Sequence, residues 1–244
     1  MQLTTRDRAI GILRTVGLNR LAARALFRLQ GFTTAKPLLE AVNRSLEYAL
    51  ANGVSGDYLE FGVFRGASLL NAQKRADELK LGAMRFIGFD SFNGLPDEPD
   101  QHKKMFYKGQ YSCSEQQVRT WLSQYGADWR RLVLVPGFYA ATLTPESKRK
   151  LGLTKCAVAM LDCDIYSSTK LALTWIDDLI GPGSVLIFDD WNAYGDDEAS
   201  WQDGQRRAML EHKRRSKWAY NELFHYDEGL RGGLAFVCAG PQQA

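Results

Sequence analysis

Two aspartates stand side by side at the end of an apolar run, "SVLIFDDWN" (184–192), and Asp162 closes another such run, "CAVAMLDCD" (156–164). If both runs are neighbouring strands of one sheet, Asp162, Asp189 and Asp190 meet at a common edge. Carboxylates about 4–5 Å apart repel by several kcal/mol per pair at an effective dielectric near 20. The set is therefore stable only if protons or a cation neutralise it. Oxygen donors of this kind select a hard ion, Mg²⁺ before Ca²⁺ or Mn²⁺. Asp162, Asp189 and Asp190 are thus the expected metal ligands. The plainer alternative is a helix cap for one aspartate of the pair and an arginine partner for the other.

A second constellation lies earlier in the chain. "EFGVFRG" (60–66) is an E-x-G-x-x-x-G pattern after a short apolar run, with Glu60, Gly62 and Gly66 at the strand-to-helix turn. Glycines there let backbone pass close to a ligand and turn sharply into a helix. A glutamate at the strand end repels phosphate but suits an ammonium group. That favours the zwitterionic tail of S-adenosylmethionine over the pyrophosphate of a dinucleotide. Asp90, closing "FIGFD", sits where an acidic residue accepts ribose hydroxyls in dinucleotide folds. The plainer reading of Asp90 is a turn aspartate before Ser91. A divalent ion beside a methyl-sulfonium donor suits methyl transfer to a hydroxyl, the metal acting as Lewis acid and template.

The elements that must position these residues alternate between strand and helix. Helices are expected over 5–16, 18–30 and 36–51, then strand 57–62, helix 66–80, strand 84–90 and a polar loop over 91–112. Next come helix 112–126, opened by a capping box of Ser112 with Glu115 or Ser114 with Gln117, strand 131–137, strand 156–164, helix 168–183 and strand 184–190. A helix near 203–217 leads to two closing strands, "AYNELFHY" and "GLAFVCAG". Near-continuous apolar strands between helices predict an α/β fold with a mostly parallel, doubly wound sheet. The last two strands suit an antiparallel hairpin at its C-terminal edge. In such sheets ligands sit beyond the carboxyl ends of the strands, and Glu60, Gly62, Asp90, Gly137, Asp162 and Asp189 all fall there.

Composition narrows the class. With 45% apolar and 24% charged residues in 244 the chain is expected to form one sizeable core. A net charge of +3 gives no case for nucleic acid or a membrane surface. No apolar run reaches the roughly 20 residues of a membrane span. Charges at Arg6, Asp7, Arg8 and Arg14 interrupt any apolar h-region, so no secretory signal is expected. Cys113, Cys156, Cys163 and Cys238 form no CxxC pair and read as free core thiols in a reducing, cytoplasmic compartment. The basic amphipathic N-terminus suits packing on its own domain or a second subunit, with a membrane surface as the alternative.

Together "DYLEFGVFRGASL", "FIGFDSFNGLPD", "VPGFYAATL", "LDCDIYSSTKLAL" and "GSVLIFDDWN" resemble, in collinear order, the macrocin O-methyltransferase family, metal-dependent enzymes that methylate sugar hydroxyls of macrolide and aminocoumarin antibiotics. The resemblance runs from about position 56 to at least 208. It implies a Rossmann-like class I methyltransferase domain over 56–244, preceded by an N-terminal helical lid or dimerisation region over 1–55, in a homodimer or dimer of dimers. By the same resemblance Glu60 and Gly62 line the methionine end of the donor, Asp90 its ribose, and backbone near Gly137 and Phe138 its adenine. Asp162, Asp189 and Asp190 match the Mg²⁺ ligands, with Asp162 also the base for a sugar or glycan hydroxyl. "GQRRA" (204–208) is similar to the family's helix start near the metal.

The chain departs from that pattern at Trp191, where tyrosine is common, a change expected to reshape the acceptor pocket. His102, in the 91–112 loop, is a candidate base or a solvated side chain. Phe106, Tyr107 and Tyr111 are expected either to form a water-excluding lid or to pack as ordinary loop residues. The rival functions are an NAD-dependent dehydrogenase, which would want a third glycine in the first turn, and a non-catalytic binder, which would not need the acidic trio.

Overall fold

The computed structural model describes residues 36–97, 106–194, 203–226 and 232–242. Strands β1 (Asp57–Phe61), β2 (Phe86–Asp90), β3 (Leu132–Pro136), β4 (Cys156–Leu161) and β5 (Val185–Phe188) run parallel. The closing strands β6 (Trp218–Tyr226) and β7 (Gly233–Pro241) pair antiparallel with each other, and β7 is antiparallel to β5. Across the sheet the order is β3-β2-β1-β4-β5-β7-β6, so the chain winds outward in opposite directions from β1 and from β4. The crevice between the carboxyl ends of those two strands is where such sheets bind ligands.

β1, β2, β4 and β5 are buried at every position. Strands covered on both faces have no polar side, which accounts for their unbroken apolar sequences. Side-chain alternation divides the core in two. Tyr58, Phe86, Val158 and Val185 pack under helices α1 (Lys36–Ala51), α2 (Ala67–Glu78) and α3 (Glu115–Gln124). Leu59, Phe89, Leu161 and Phe188 face the other way. After β3 the chain forms two short helices, α4 (Tyr139–Thr142) and α5 (Pro145–Leu151), then α6 (Tyr166–Ile176) after β4 and α7 (Gly204–Arg215) after β5. α6 and α7 cover that second face through Leu173, Ile176, Ala208 and Met209.

α1 occupies the expected 36–51, and its Leu38, Val42 and Leu46 are buried in the same cluster as β1. The helices expected over 5–16 and 18–30 lie outside the described residues. Of the two capping alternatives for α3, Ser114 with Gln117 forms, the serine hydroxyl accepting the Gln117 amide at 3.4 Å. α6 ends at Ile176, short of the Gly-Pro-Gly stop: the chain turns there and the Leu179 carbonyl accepts the Cys156 amide at 2.8 Å. α5 is an addition to the sequence reading, and it carries its own signals. Thr144 and Ser147 exchange capping bonds, each 3.1 Å, Pro145 opens the helix and Gly152 closes it. All four cysteines are free and buried. Among the described residues no helix is long and apolar enough to cross a membrane.

Candidate functional site

A cavity of about 400 Å³ opens at the carboxyl edge of the sheet, over the β1/β4 crevice. Six of the residues expected at the site line it: Gly62, Asp90, Phe138, Asp162, Asp189 and Asp190. Glu60, Gly66 and Gly137 stand outside the lining. Gly66 is the N-cap of α2, and Gly137 follows β3, donating its amide to the Asp90 carbonyl at 2.9 Å.

Gly62 fixes how closely the two central strands approach. Its φ is 96°, and a Cβ built there would lie 1.6 Å from the carbonyl oxygen of Asp162. Only a residue without a side chain lets the ends of β1 and β4 touch. Beside this contact, the Asp162 amide donates to the Phe61 carbonyl at 2.8 Å.

Asp90 does more than end a strand. One oxygen, Oδ2, accepts the amides of Val63 and Phe64, both at 2.8 Å, and Oδ1 accepts the Phe92 amide at 2.7 Å. Phe64 and Phe92 have φ of 47° and 55°, a left-handed conformation that large side chains adopt only when held. The carboxylate thus shapes the glycine-containing turn. Burial, the larger influence, raises its pKa above the ordinary range, and the three amide bonds oppose that rise.

Glu60 is sequestered. It is fully buried, on the strand face of Tyr58 and not of the cavity; Oε2 accepts the Tyr58 hydroxyl at 2.7 Å and Oε1 the Ser68 hydroxyl at 2.8 Å. Desolvation pushes its pKa up to about 8 in spite of those bonds. As placed, the side chain organises the start of α2 and does not reach into the cavity.

The acidic edge is built from β4, β5 and their neighbours. Asp162 retains partial exposure, yet surrounding protein desolvates its carboxyl, and this together with the charges of Asp189 and Asp190 raises its pKa well above the usual range. The Asp189 carboxylate accepts the Tyr226 hydroxyl at 3.3 Å, a hydroxyl that also donates to the Phe188 carbonyl at 3.0 Å. The Asp190 amide donates to Oε1 of Gln205 at 3.0 Å. Asp164, with φ of 60°, also lines the cavity. Among the described residues no group of three or more His, Cys, Asp or Glu side chains is arranged as a metal site. Asp162, Asp189 and Asp190 all line the cavity; they are oxygen donors of the type a hard cation takes, and the charges of Asp189 and Asp190 bear on Asp162, without the three being gathered into a ligand set.

The rest of the lining is mixed and includes aromatic side chains and Arg65. Tyr111 lines the cavity and meets the Phe64 ring edge-on at 5.7 Å. Phe106 is 2% exposed and packs with Ile165 and Ala193, whereas Tyr107 is 62% exposed. Two of the three loop aromatics therefore close over the edge and the third faces solvent. Arg65 lines the cavity with its guanidinium 4.9 Å from the Phe64 ring centre. Trp191 is not in the lining; it packs on Phe188 and Phe236 with ring centres 5.5 and 5.0 Å away. His102 lies outside the described residues. Sequence reasoning passed over Arg65 and Gln205, although both lie inside motifs it had singled out.

Comparison with known proteins agrees with this geometry. The family model described as Macrocin-O-methyltransferase (TylF) matches residues 28–213. The chain is 30% identical over 160 residues to the 8-demethyl-8-(2,3-dimethoxy-alpha-L-rhamnosyl)-tetracenomycin-C 4'-O-methyltransferase of Streptomyces olivaceus, a match covering 63% of this chain and 59% of that protein. It is 28% identical over 162 residues to demethyldecarbamoylnovobiocin O-methyltransferase of Streptomyces niveus, with the same coverage. The chain thus spans about 59% of the length of these curated relatives. The solved structure of the O-methyltransferase NovP superposes with a TM-score of 0.67 at 22% identity, covering 82% of this chain and 79% of that one. The fold is the Rossmann-like one of class I methyltransferases. By the match to three quarters of its length, the chain belongs to the macrocin O-methyltransferase family.

Proposed function

We propose that this protein transfers the methyl group of S-adenosylmethionine to a hydroxyl of a sugar or glycoside. The observation that carries this reading is the cavity itself: a glycine-containing turn clamped by Asp90 faces an aspartate-rich edge across one crevice. Family membership supports methyl transfer to oxygen, and the relatives' sugar-bearing acceptors support the substrate class. The turn at Gly62 and Val63 would receive the methionine end, Asp90 the ribose, and Phe138 the adenine.

In the reaction, the acceptor oxygen attacks the methyl carbon in line as the carbon–sulfur bond breaks, leaving S-adenosylhomocysteine as a neutral thioether. The hydroxyl proton must leave, and Asp162, which lines the cavity, is the proposed acceptor. Asp162, Asp189 and Asp190 would hold Mg²⁺, which when bound lowers the pKa of a hydroxyl and orients it. Phe106 and Tyr111 would keep water from the donor. Most of the acceleration would come from positioning. The N-terminal region would serve a homodimer or dimer of dimers.

Calorimetric titration with S-adenosylhomocysteine should show binding; none at millimolar ligand would end the donor assignment. Asp189→Asn should lower methyl transfer at least tenfold and remove its Mg²⁺ dependence. Full activity in that variant would end the metal role.

A further inference from the structure

We propose that Gln205 is a positioning residue that sets the acidic edge by adding one side-chain rung to the β4/β5 ladder. The backbone pairing of these strands ends at Leu161 and Phe188. Beyond it, the fully buried Gln205 places its side-chain amide between the two chains. Its Nε2 donates to the Leu161 carbonyl at 2.9 Å and its Oε1 accepts the Asp190 amide at 3.0 Å. A primary amide offers one donor and one acceptor in the same plane, as a peptide group does, so it continues the ladder where the backbones have begun to part. The bonded atoms adjoin the acidic edge: Leu161 precedes Asp162, and the second amide belongs to Asp190 itself.

The rung comes from outside the sheet. Gln205 lies in the first turn of α7, a helix that packs on α6, so the position of α7 is transmitted to the spacing of Asp162 and Asp190. Removing the rung should not unravel the strands, because the Leu161 carbonyl also accepts the Asp189 amide at 3.2 Å. What is lost is the fixed position of Asp190. This role rests on the proposed function for its purpose, but not for its test.

The test uses the full chain with Gln205→Met, which keeps the side chain's length and removes both bonds. Hydrogen exchange at the Asp190 amide should rise at least tenfold, while the amides of β1 and β2 keep their protection. Mn²⁺ serves as the divalent probe; its affinity should fall roughly tenfold, with S-adenosylhomocysteine affinity within twofold of the unsubstituted protein. Gln205→Glu keeps an acceptor for the Asp190 amide, so protection there should stay within threefold, and this variant decides the matter if Gln205→Met does not fold. Unchanged protection in Gln205→Met, its loss in Gln205→Glu, or equal weakening of both ligands would overturn the inference. If the unsubstituted protein binds neither ligand, the proposed function fails, and the exchange measurement still decides the role of Gln205.

Discussion

A methyl group added at position 62 has nowhere to go, since the Asp162 carbonyl oxygen would lie 1.6 Å away and φ is 96°. Gly62→Ala must push β1 from β4 at the centre of the sheet. We expect a loss of about 3 kcal/mol or more, read as a lower urea midpoint, because overpacking and left-handed strain add. S-adenosylhomocysteine binding should fall with it. Gly62 and Asp90 were legible in sequence as strand-end residues at turns, and the turn role read as the plainer one for Asp90 is present, its carboxylate accepting the amides of Val63, Phe64 and Phe92. Glu60 was less so. Its position two residues after Tyr58 puts it on that residue's face of the strand, and only the packing of α2 over that face shows the carboxyl to be enclosed. The involvement of Gln205 depends on where α7 docks, which no local pattern encodes.

Among the elements, the segment after β2, in its described residues 91–97 and 106–112, contributes Ser91, Gly94, Leu95, Pro96, Gln110 and Tyr111 to the cavity. It folds back on itself through bonds between Leu95 and Gln110 and between Gly109 and Leu95, each 3.0 Å, and it is anchored by Phe106 against Ile165 and Ala193. Phe106→Ala removes a buried ring and should cost about 3 kcal/mol of local stability. Hydrogen exchange over 106–112 should accelerate, with β4 and β5 unaffected. No periodicity distinguishes Phe106 from Tyr107 in sequence; the packing partners, contributed by the β4 and β5 edges, decide which ring turns inward. Strands and long helices were legible because their patterns are dictated by burial on both faces or one. α4 and α5 are too short to show a period, although the cap at Thr144 and Pro145 is a readable start signal.

For the molecule as a whole, buried titratable groups set the pH range of stability. Glu60 ionises near pH 4.5 when unfolded and at about 8 when folded, so the native state binds the extra proton in between. Its stabilising contribution is complete below pH 4.5 and is lost as pH rises toward 8. Glu60→Gln should therefore flatten the decline in melting temperature between pH 5 and 8.5, a difference on the order of a few kcal/mol at the upper end. A decline of equal steepness in the variant would show the carboxyl to be ionised in the native state. His212 acts in the opposite direction: burial lowers its pKa, so stability falls as pH drops below about 6.5. The contact between Gly62 and the Asp162 backbone has a longer consequence. It closes the β1/β4 ladder at the crevice, so any change that shifts the end of one strand drags the other with it and both banks of the cavity move together.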